Sequence, residues 1–149
     1  MIDINLHSYK EQLKVKKEED AIYILCAIRK KYLVLQPEEL VRQLLIQFLI
    51  AKGYPKEKIQ VEKGVNVNGL YRRFDIIVYD QEFHPFLLIE CKSHTVKIDQ
   101  HTFDQIASYN YALKAPFLMV CNGVQTHCCK LDFDTKQIDH LSFIPEYNQ

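Results

Sequence analysis

Two acidic residues stand inside segments that are otherwise typical of buried β-strands, and they constrain this chain more than any other feature. Asp75 falls within the apolar residues 74–78, and Glu90 follows the apolar run 86–89. A charged side chain in a core strand is costly unless an opposite charge or a metal ion compensates it. The fold is therefore expected to bring such a charge to both acids.

The residues around Asp75 predict a β-hairpin. Residues 59–67 and 70–79 contain many β-branched and aromatic side chains, and Asn68-Gly69 between them favours a two-residue turn. Counting outwards from that turn sets Glu62 opposite Asp75. Glu62 is thus a third, weaker candidate for the same cluster.

The next expected strand, residues 86–92, brings the second acid to the same place. Antiparallel pairing about the loop that precedes it sets Asp75 opposite Glu90, provided that no bulge shifts the register. Strand alternation puts Lys92 on the face of Glu90. Like charges opposite one another destabilise a sheet, and carboxylate oxygens suit Mg²⁺ or Mn²⁺, so a divalent cation is the simplest compensation. A salt bridge that closes the hairpin is the alternative.

The rest of the chain predicts an α/β fold in which helices flank a mixed central sheet. Pro37 suits a first helical turn, and apolar residues at helical spacing extend the first helix over residues 37–52. A second helix is expected over residues 100–114. Further strands are expected at residues 21–26, 32–35, 117–121, 124–133 and 138–144. Residues 1–20 have no clear periodicity and are expected to form a loosely ordered lead-in to one domain that spans residues 1–149.

Composition argues against several functional classes. The 149 residues carry 19 Lys+Arg and 19 Asp+Glu, a formal net charge of +0, so a strong nonspecific hold on DNA is not expected. The 4 Gly form no glycine-rich phosphate loop, which argues against a nucleotide-driven motor. The 5 Cys include no Cys-x-x-Cys pair and are expected to be buried rather than zinc ligands. Without a membrane-length apolar run or a secretory signal, a cytoplasmic protein is expected.

Together, the acids and the lysine resemble a known signature. Asp75 followed by Glu90-Cys91-Lys92 resembles the motif of the PD-(D/E)xK nuclease superfamily, with Phe74 where the name of the motif has proline. The expected order of helix, three strands, helix and strand is similar to the restriction-endonuclease-like core of that superfamily. A second acid-x-Lys tripeptide, Asp134-Thr135-Lys136, lies in a polar turn and is expected to be solvated.

Further residues resemble particular branches of this superfamily. Gln105 and Tyr109, one turn apart on the second helix, resemble the Gln-x-x-x-Tyr motif of the RecB-like branch. Parts of residues 27–43 and 103–116 are similar to the amino-terminal nuclease domain of type I restriction endonuclease R subunits. This similarity covers roughly residues 20–132.

The resemblance implies a DNA endonuclease that hydrolyses phosphodiester bonds with Mg²⁺ or Mn²⁺. Asp75, Glu90 and the backbone carbonyl of Cys91 would bind the metal. An acid from the first helix often completes such sites: Glu38 is the first choice and Glu39 its competitor. Both acids also suit the positive end of a helix dipole, which is the alternative interpretation.

The remaining roles also follow from the resemblance. Lys92 would orient the nucleophile, and Gln105 and Tyr109 would hydrogen-bond Lys92 or a DNA phosphate. Arg42 shares a helix face with Glu38, away from most of the apolar stripe. The basic residues expected to contact DNA phosphates are Arg29, Lys30, Lys31, Arg42, Arg72 and Arg73.

DNA is the substrate that the resemblance implies. R subunits join such a domain to a helicase motor, so a motor or methyltransferase subunit, or self-association, is the expected partner, and no membrane is expected to take part. The alternative function is a non-catalytic module of the same fold that binds nucleic acid or a partner subunit.

Overall fold

The computed structural model describes residues 1–67 and 69–147, and the chain begins there with a small sheet. A 3-10 helix, Leu6–Gln12, leads into the antiparallel strands β1 (Val15–Glu18), β2 (Ala21–Cys26) and β3 (Lys31–Val34). The strands predicted at residues 21–26 and 32–35 are confirmed as β2 and β3, which pair as a hairpin. Where a loosely ordered lead-in was expected, Ile2 and Leu6 are instead buried in the core. Strand β1 was not predicted, because its Val-Lys-Lys-Glu sequence does not alternate between apolar and polar residues.

Helix α1 runs from Pro37 to Ala51 and covers one face of the molecule. Pro37 stands in the first turn, where its missing N–H costs no hydrogen bond, and two acids follow it at the positive end of the helix dipole. Leu45 and Leu49 on the apolar side of the helix are fully buried, and Leu40 and Phe48 are partly buried. The helix predicted over residues 37–52 is confirmed.

A six-stranded mixed sheet forms the centre of the protein. Its strands, in spatial order, are β4 (Ile59–Val67), β5 (Leu70–Tyr79), β6 (Pro85–Cys91), β7 (Phe117–Cys121), β8 (Thr126–Asp132) and β9 (Gln137–Leu141). β6 and β7 pair in parallel, and the other neighbours pair antiparallel. Parallel neighbours need a crossover, which contains helix α2, Gln100–Asn110. The predicted α/β fold with a mixed central sheet flanked by helices is confirmed.

The sheet is covered on both faces. On one face α1 packs against side chains such as Ile76 and Leu87, and on the other α2 packs against Ile77 and Leu88. β7 is a continuous apolar run and is buried along its whole length, as is typical of a strand covered on both faces. Four of the five free cysteines are buried in this core, and Cys26 is buried in the small sheet. In the part of the chain that the structure describes, no helix has the length and hydrophobicity needed to cross a membrane.

The β4–β5 hairpin keeps the predicted register but is interrupted at its two acids. Val61 pairs with Ile76, and Lys63 pairs with Phe74. Glu62 and Asp75 therefore stand opposite each other, but they do not form a pair themselves. Glu62 has a φ of 51°, in the left-handed region. Val61 therefore packs in the core under α1 while Val65 packs under α2, although a regular strand would put both on one face. Asn68 of the predicted turn lies outside the described residues.

The predicted pairing of β5 with β6 is also confirmed. Ile76 pairs with Ile89, and the shift in register lies at the far end of the two strands. Asp75 and Glu90 are the next residues beyond this pair. The two acids consequently lie side by side at one end of the sheet.

Asn110 ties the end of helix α2 to the segment that enters β7. Its side chain is fully buried. Its Nδ2 donates to the carbonyl oxygen of Ala115 at 2.8 Å, and the backbone N–H of Ala115 donates to its Oδ1 at 3.1 Å. One amide thus satisfies two buried backbone groups and sets the position of α2 over the sheet.

We expect Asn110→Ala to lower the free energy of unfolding by about 2–3 kcal/mol, because it leaves the buried N–H and C=O of Ala115 without partners. Urea denaturation measures this change. Ser108→Ala, on the exposed side of the same helix, is the control and should cost less than about 1 kcal/mol. A loss as small as that of the control would contradict this role of Asn110.

Candidate active site

Asp75, in the middle of β5, meets Glu90 near the end of β6. Asp75 Oδ2 accepts a hydrogen bond of 2.8 Å from the backbone N–H of Cys91. The side chains of Asp75 and Glu90 are only 27% and 16% exposed. The two residues lie next to the paired residues Ile76 and Ile89 on neighbouring strands. The structure therefore contains the acid pair that the strand registers predicted.

Burial makes this pair hard to ionise. It raises the pKa of Glu90 to about 8, and the negative charge of Asp75 adds to the effect. Burial also raises the pKa of Asp75, although the N–H of Cys91 and the charge of Arg42 favour its ionised form. In the metal-free protein the pair therefore retains a proton near neutral pH.

Lys92 lies on the face of the sheet that carries Glu90, as strand alternation predicted. Its Nζ is 4.0 Å from Glu90 Oε2. Its backbone N–H donates to the carbonyl of Cys121 at 2.8 Å, which continues the β6–β7 pairing past the end of the strand. The ammonium group is thus held beside the acids while the side chain stays partly exposed.

A cavity of about 430 Å³ opens beside Glu90 and Lys92. Helix α2 contributes Gln105 and Tyr109 to its wall, and Gln105 Nε2 donates to Tyr109 Oη at 3.1 Å. The guanidinium of Arg72 lies 4.2 Å from the centre of the Tyr109 ring, a cation–π contact. The structure therefore brings the predicted pair on α2 to the same cavity as the strand residues.

Arg42 lies in the protein interior next to Asp75. Its Nε donates to Glu39 Oε2 at 2.9 Å, and its Nη2 donates to Glu62 Oε1 at 3.0 Å and also binds Glu39 Oε1. Its Nη1 lies 3.8 Å from Asp75 Oδ1. Burial alone would lower the pKa of Arg42, but the hydrogen bonds and charges of Glu39 and Glu62 raise it above its ordinary value. Arg42 is consequently a fixed positive charge beside the acids.

This burial corrects the assignment of Arg42 as a phosphate contact. Its side chain is only 8% exposed, and its guanidinium is bound to two carboxylates. The sequence placed Arg42 on an exposed helix face with Glu38, whereas the structure turns it inward and pairs it with Glu39. A side chain in this position does not reach a DNA phosphate.

The two candidate helix acids have different environments. Glu39 is buried and binds both Arg42 and Gln43, whose Nε2 donates to Glu39 Oε2 at 2.9 Å. Burial alone would raise the pKa of Glu39, but these hydrogen bonds and the charge of Arg42 bring it below its ordinary value. Glu38 is exposed, and within residues 1–67 and 69–147 its side chain has no hydrogen bond or ion pair. The structure thus brings Glu39, and not Glu38, to the cluster around Asp75.

The other basic residues expected to contact DNA occupy two places. Arg72 and Arg73 line the cavity. Lys30 and Lys31 lie exposed at the turn between β2 and β3. Arg29 of the same turn binds Glu62 and is 25% exposed, so it is less open to solvent than Lys30 and Lys31.

Sequence reasoning missed the role of Glu62. Three arginines bind its carboxylate, Arg29 at 3.0 Å, Arg42 at 3.0 Å and Arg73 at 2.8 Å. Burial alone would raise the pKa of Glu62, but these arginines lower it, so the carboxylate is ionised. The hairpin count correctly set Glu62 opposite Asp75, but this signal did not distinguish a metal ligand from an anchor for arginines.

The donors at the acid pair fit a hard cation such as Mg²⁺. Asp75 and Glu90 offer carboxylate oxygens, and two adjacent buried acids are poorly compensated without a cation. Among the described residues, no group of three or more His, Cys, Asp and Glu side chains could hold a metal ion. A Mg²⁺ site, however, commonly uses one or two carboxylates and completes its shell with water and substrate phosphate.

One comparison with known proteins bears on this site. The model of the family described as type I restriction enzyme R protein N terminus (HSDR_N) matches residues 37–145. The match begins at α1 and includes all six strands of the larger sheet, so it contains the acid pair as well as Gln105 and Tyr109 of α2. No curated protein gives a significant match.

We expect the metal-free protein to lose stability as the pH rises towards the pKa of Glu90. The folded protein keeps on Glu90 a proton that the unfolded chain releases above its ordinary pKa of 4.5, so the free energy of unfolding falls between about pH 4.5 and about pH 8. Glu90→Gln removes this dependence and should be more stable than the wild type by roughly 2 kcal/mol at alkaline pH. Urea denaturation in EDTA at acidic and alkaline pH measures the difference.

Glu57→Gln is the matched control, because Glu57 is an exposed acid just before β4. It should follow the wild-type dependence on pH. If the stability of Glu90→Gln ran parallel to that of the wild type at every pH, Glu90 would not hold the extra proton.

Proposed function

This chain belongs to the family of type I restriction enzyme R protein N termini, and on that premise we propose that it is the nuclease domain of a restriction system, a metal-dependent DNA endonuclease of the cytoplasm. The observation that carries the proposal is the buried pair of Asp75 and Glu90, which lies beside Lys92 at a cavity open to a substrate. Carboxylates next to a lysine suit phosphodiester hydrolysis because they can hold a cation where charge develops on the phosphate.

The acid pair would bind the metal. Asp75, Glu90 and the carbonyl of Cys91 would hold Mg²⁺ or Mn²⁺, which, when bound, lowers the pKa of a water molecule and neutralises charge on the phosphate. Lys92 would orient the attacking water, because a flexible ammonium contacts water or phosphate at a single point.

The walls of the cavity would hold the DNA. The hydrogen bond between Gln105 and Tyr109 orients both side chains, and their remaining polar atoms would contact Lys92 or a phosphate. Arg72 stacks on Tyr109, which leaves the edges of its guanidinium available for phosphate oxygens. Arg73 would add a contact at the cavity, and the exposed Lys30-Lys31 turn would add one at the small sheet.

The charge balance bears on the partner. A formal net charge of +0 provides little counterion release, so this chain alone should hold DNA weakly. We infer that the grip on DNA comes from a motor or methyltransferase subunit, or from a second copy of the chain.

A non-catalytic module of the same fold is the second candidate, and one observation favours it. Arg42 already places a positive charge 3.8 Å from Asp75 and so compensates part of its charge without a metal. Such a module would bind nucleic acid or a partner subunit in a salt-sensitive way, and the binding would survive the loss of Asp75.

We expect the chain to nick plasmid DNA with Mg²⁺ or Mn²⁺, and Asp75→Asn and Lys92→Ala each to lower the rate at least about 100-fold, because each removes a group that stabilises the transition state. Conversion of supercoiled to open-circular plasmid measures the rate. The matched controls are Asp134→Asn and Lys136→Ala, which alter the same tripeptide spacing in an exposed turn between β8 and β9 and should cleave like the wild type.

Two results would decide between the candidates. Cleavage that is unchanged in both site variants would exclude this site as the catalyst. DNA binding without cleavage, combined with a calorimetric titration that detects no Mn²⁺ binding dependent on Asp75 and Glu90, would favour the non-catalytic module.

A further inference from the structure

Glu62 gathers three arginines from three different elements. Arg29 comes from the β2–β3 turn, Arg42 from α1 and Arg73 from β5. Glu62 itself has a φ of 51° and lies where the β4–β5 pairing is interrupted opposite Asp75. A residue with a side chain pays a conformational cost in this region and stays there only where surrounding contacts hold it. The three ion pairs are such contacts.

The guanidinium of Arg42 is engaged on the side away from Asp75. Its Nε and Nη2 bind Glu39, and Nη2 also binds Glu62. Its Nη1, which faces Asp75, lies 3.8 Å from Oδ1, beyond hydrogen-bond length. Arg42 is therefore a close neighbour of Asp75 without a direct hydrogen bond to it.

A shorter contact between Arg42 and Asp75 would compete with a cation. A guanidinium can form two parallel hydrogen bonds with one carboxylate, and this is among the strongest ion pairs in proteins. If Arg42 bound Asp75 in that way, it would occupy the oxygens that a metal needs and would neutralise the charge that attracts the metal. Glu39 and Glu62 together keep the guanidinium from that position.

We propose that Glu62 is a positioning residue for the metal site and acts by holding Arg42 away from Asp75. The inference rests on the proposed function, because it concerns a cation bound by Asp75 and Glu90. Glu39 holds the guanidinium from within α1, and Glu62 holds it from β4, so two elements fix its place. Arg29 and Arg73 in turn hold Glu62.

Calorimetric titration of the chain with Mn²⁺ tests the inference without relying on activity. Glu62→Gln keeps the shape of the side chain and removes its charge, and we expect it to weaken Mn²⁺ binding roughly tenfold as Arg42 closes on Asp75. The same substitution is then made in a Glu39→Gln/Arg42→Gln background, from which the buried ion pair has been removed as a unit. There we expect Glu62→Gln to change the affinity by less than about twofold.

The wild-type and Glu39→Gln/Arg42→Gln backgrounds distinguish an effect of Glu62 on the position of Arg42 from an effect of its own charge on the cation. If the Glu62 carboxylate attracted the cation directly, its removal would weaken binding equally in both, and this would overturn the inference. Glu57→Gln is the matched control for the loss of one acidic charge and should leave the Mn²⁺ affinity unchanged. Melting curves in EDTA identify the variants that fold.

A second background, Arg42→Lys, keeps the inference testable if the Glu39→Gln/Arg42→Gln variant does not fold. Arg42→Lys keeps the charge but lacks the planar fork, so Glu62→Gln should weaken Mn²⁺ binding less there than beside Arg42. An equal loss would contradict the inference. Mn²⁺ binding that is the same in the wild type and Glu62→Gln overturns the inference alone, whereas a wild type that binds no Mn²⁺ overturns the proposed function as well.

Discussion

The burial of two adjacent carboxylates is the constraint on which the arrangement around the sheet depends. Asp75 and Glu90 each stand next to apolar, buried residues of β5 and β6, and burial drives both towards their neutral forms. A positive charge approaches each of them, Arg42 beside Asp75 and Lys92 beside Glu90. An unpaired buried charge costs several kcal/mol, so the fold has to place these two cations next to the strands that bear the acids. Helix α1 accordingly presents a polar stripe to the interior as well as an apolar one.

Rules that relate residues close in sequence were sufficient to predict much of the sheet and half of the site. A side-chain period of two set the register of β5 against β6, and that register holds from Ile76 to Val78, because the shift in pairing comes only at Val78 and Tyr79, away from the two acids. The same period placed Lys92 beside Glu90, and the helical period placed Gln105 with Tyr109. Each of these relations joins residues that are close in sequence or separated by a single hairpin.

The remaining features depend on contacts between distant segments. The helical pattern separates apolar from polar positions on α1. It does not distinguish a polar face in water from a polar face that meets a buried acid. For this reason Arg42 was assigned to DNA and Glu38 to the metal. Glu62 adopts its left-handed conformation because arginines from three elements surround it, and no local signal marks such a residue. Strand β1 is mostly exposed and depends on its pairing with β2.

The small sheet has a consequence for where a functional fragment of this protein should be cut. The family match begins at Pro37, after β3 has ended. Yet the β2–β3 turn donates Arg29 to Glu62, and the backbone N–H of Ala27 donates to Gln43 Oε1 at 3.1 Å. A fragment excised at the boundary of the match would keep both acids and the lysine and lose part of the scaffold that fixes their charges. The charges of the site are thus held partly by residues that lie outside the segment that sequence similarity delimits.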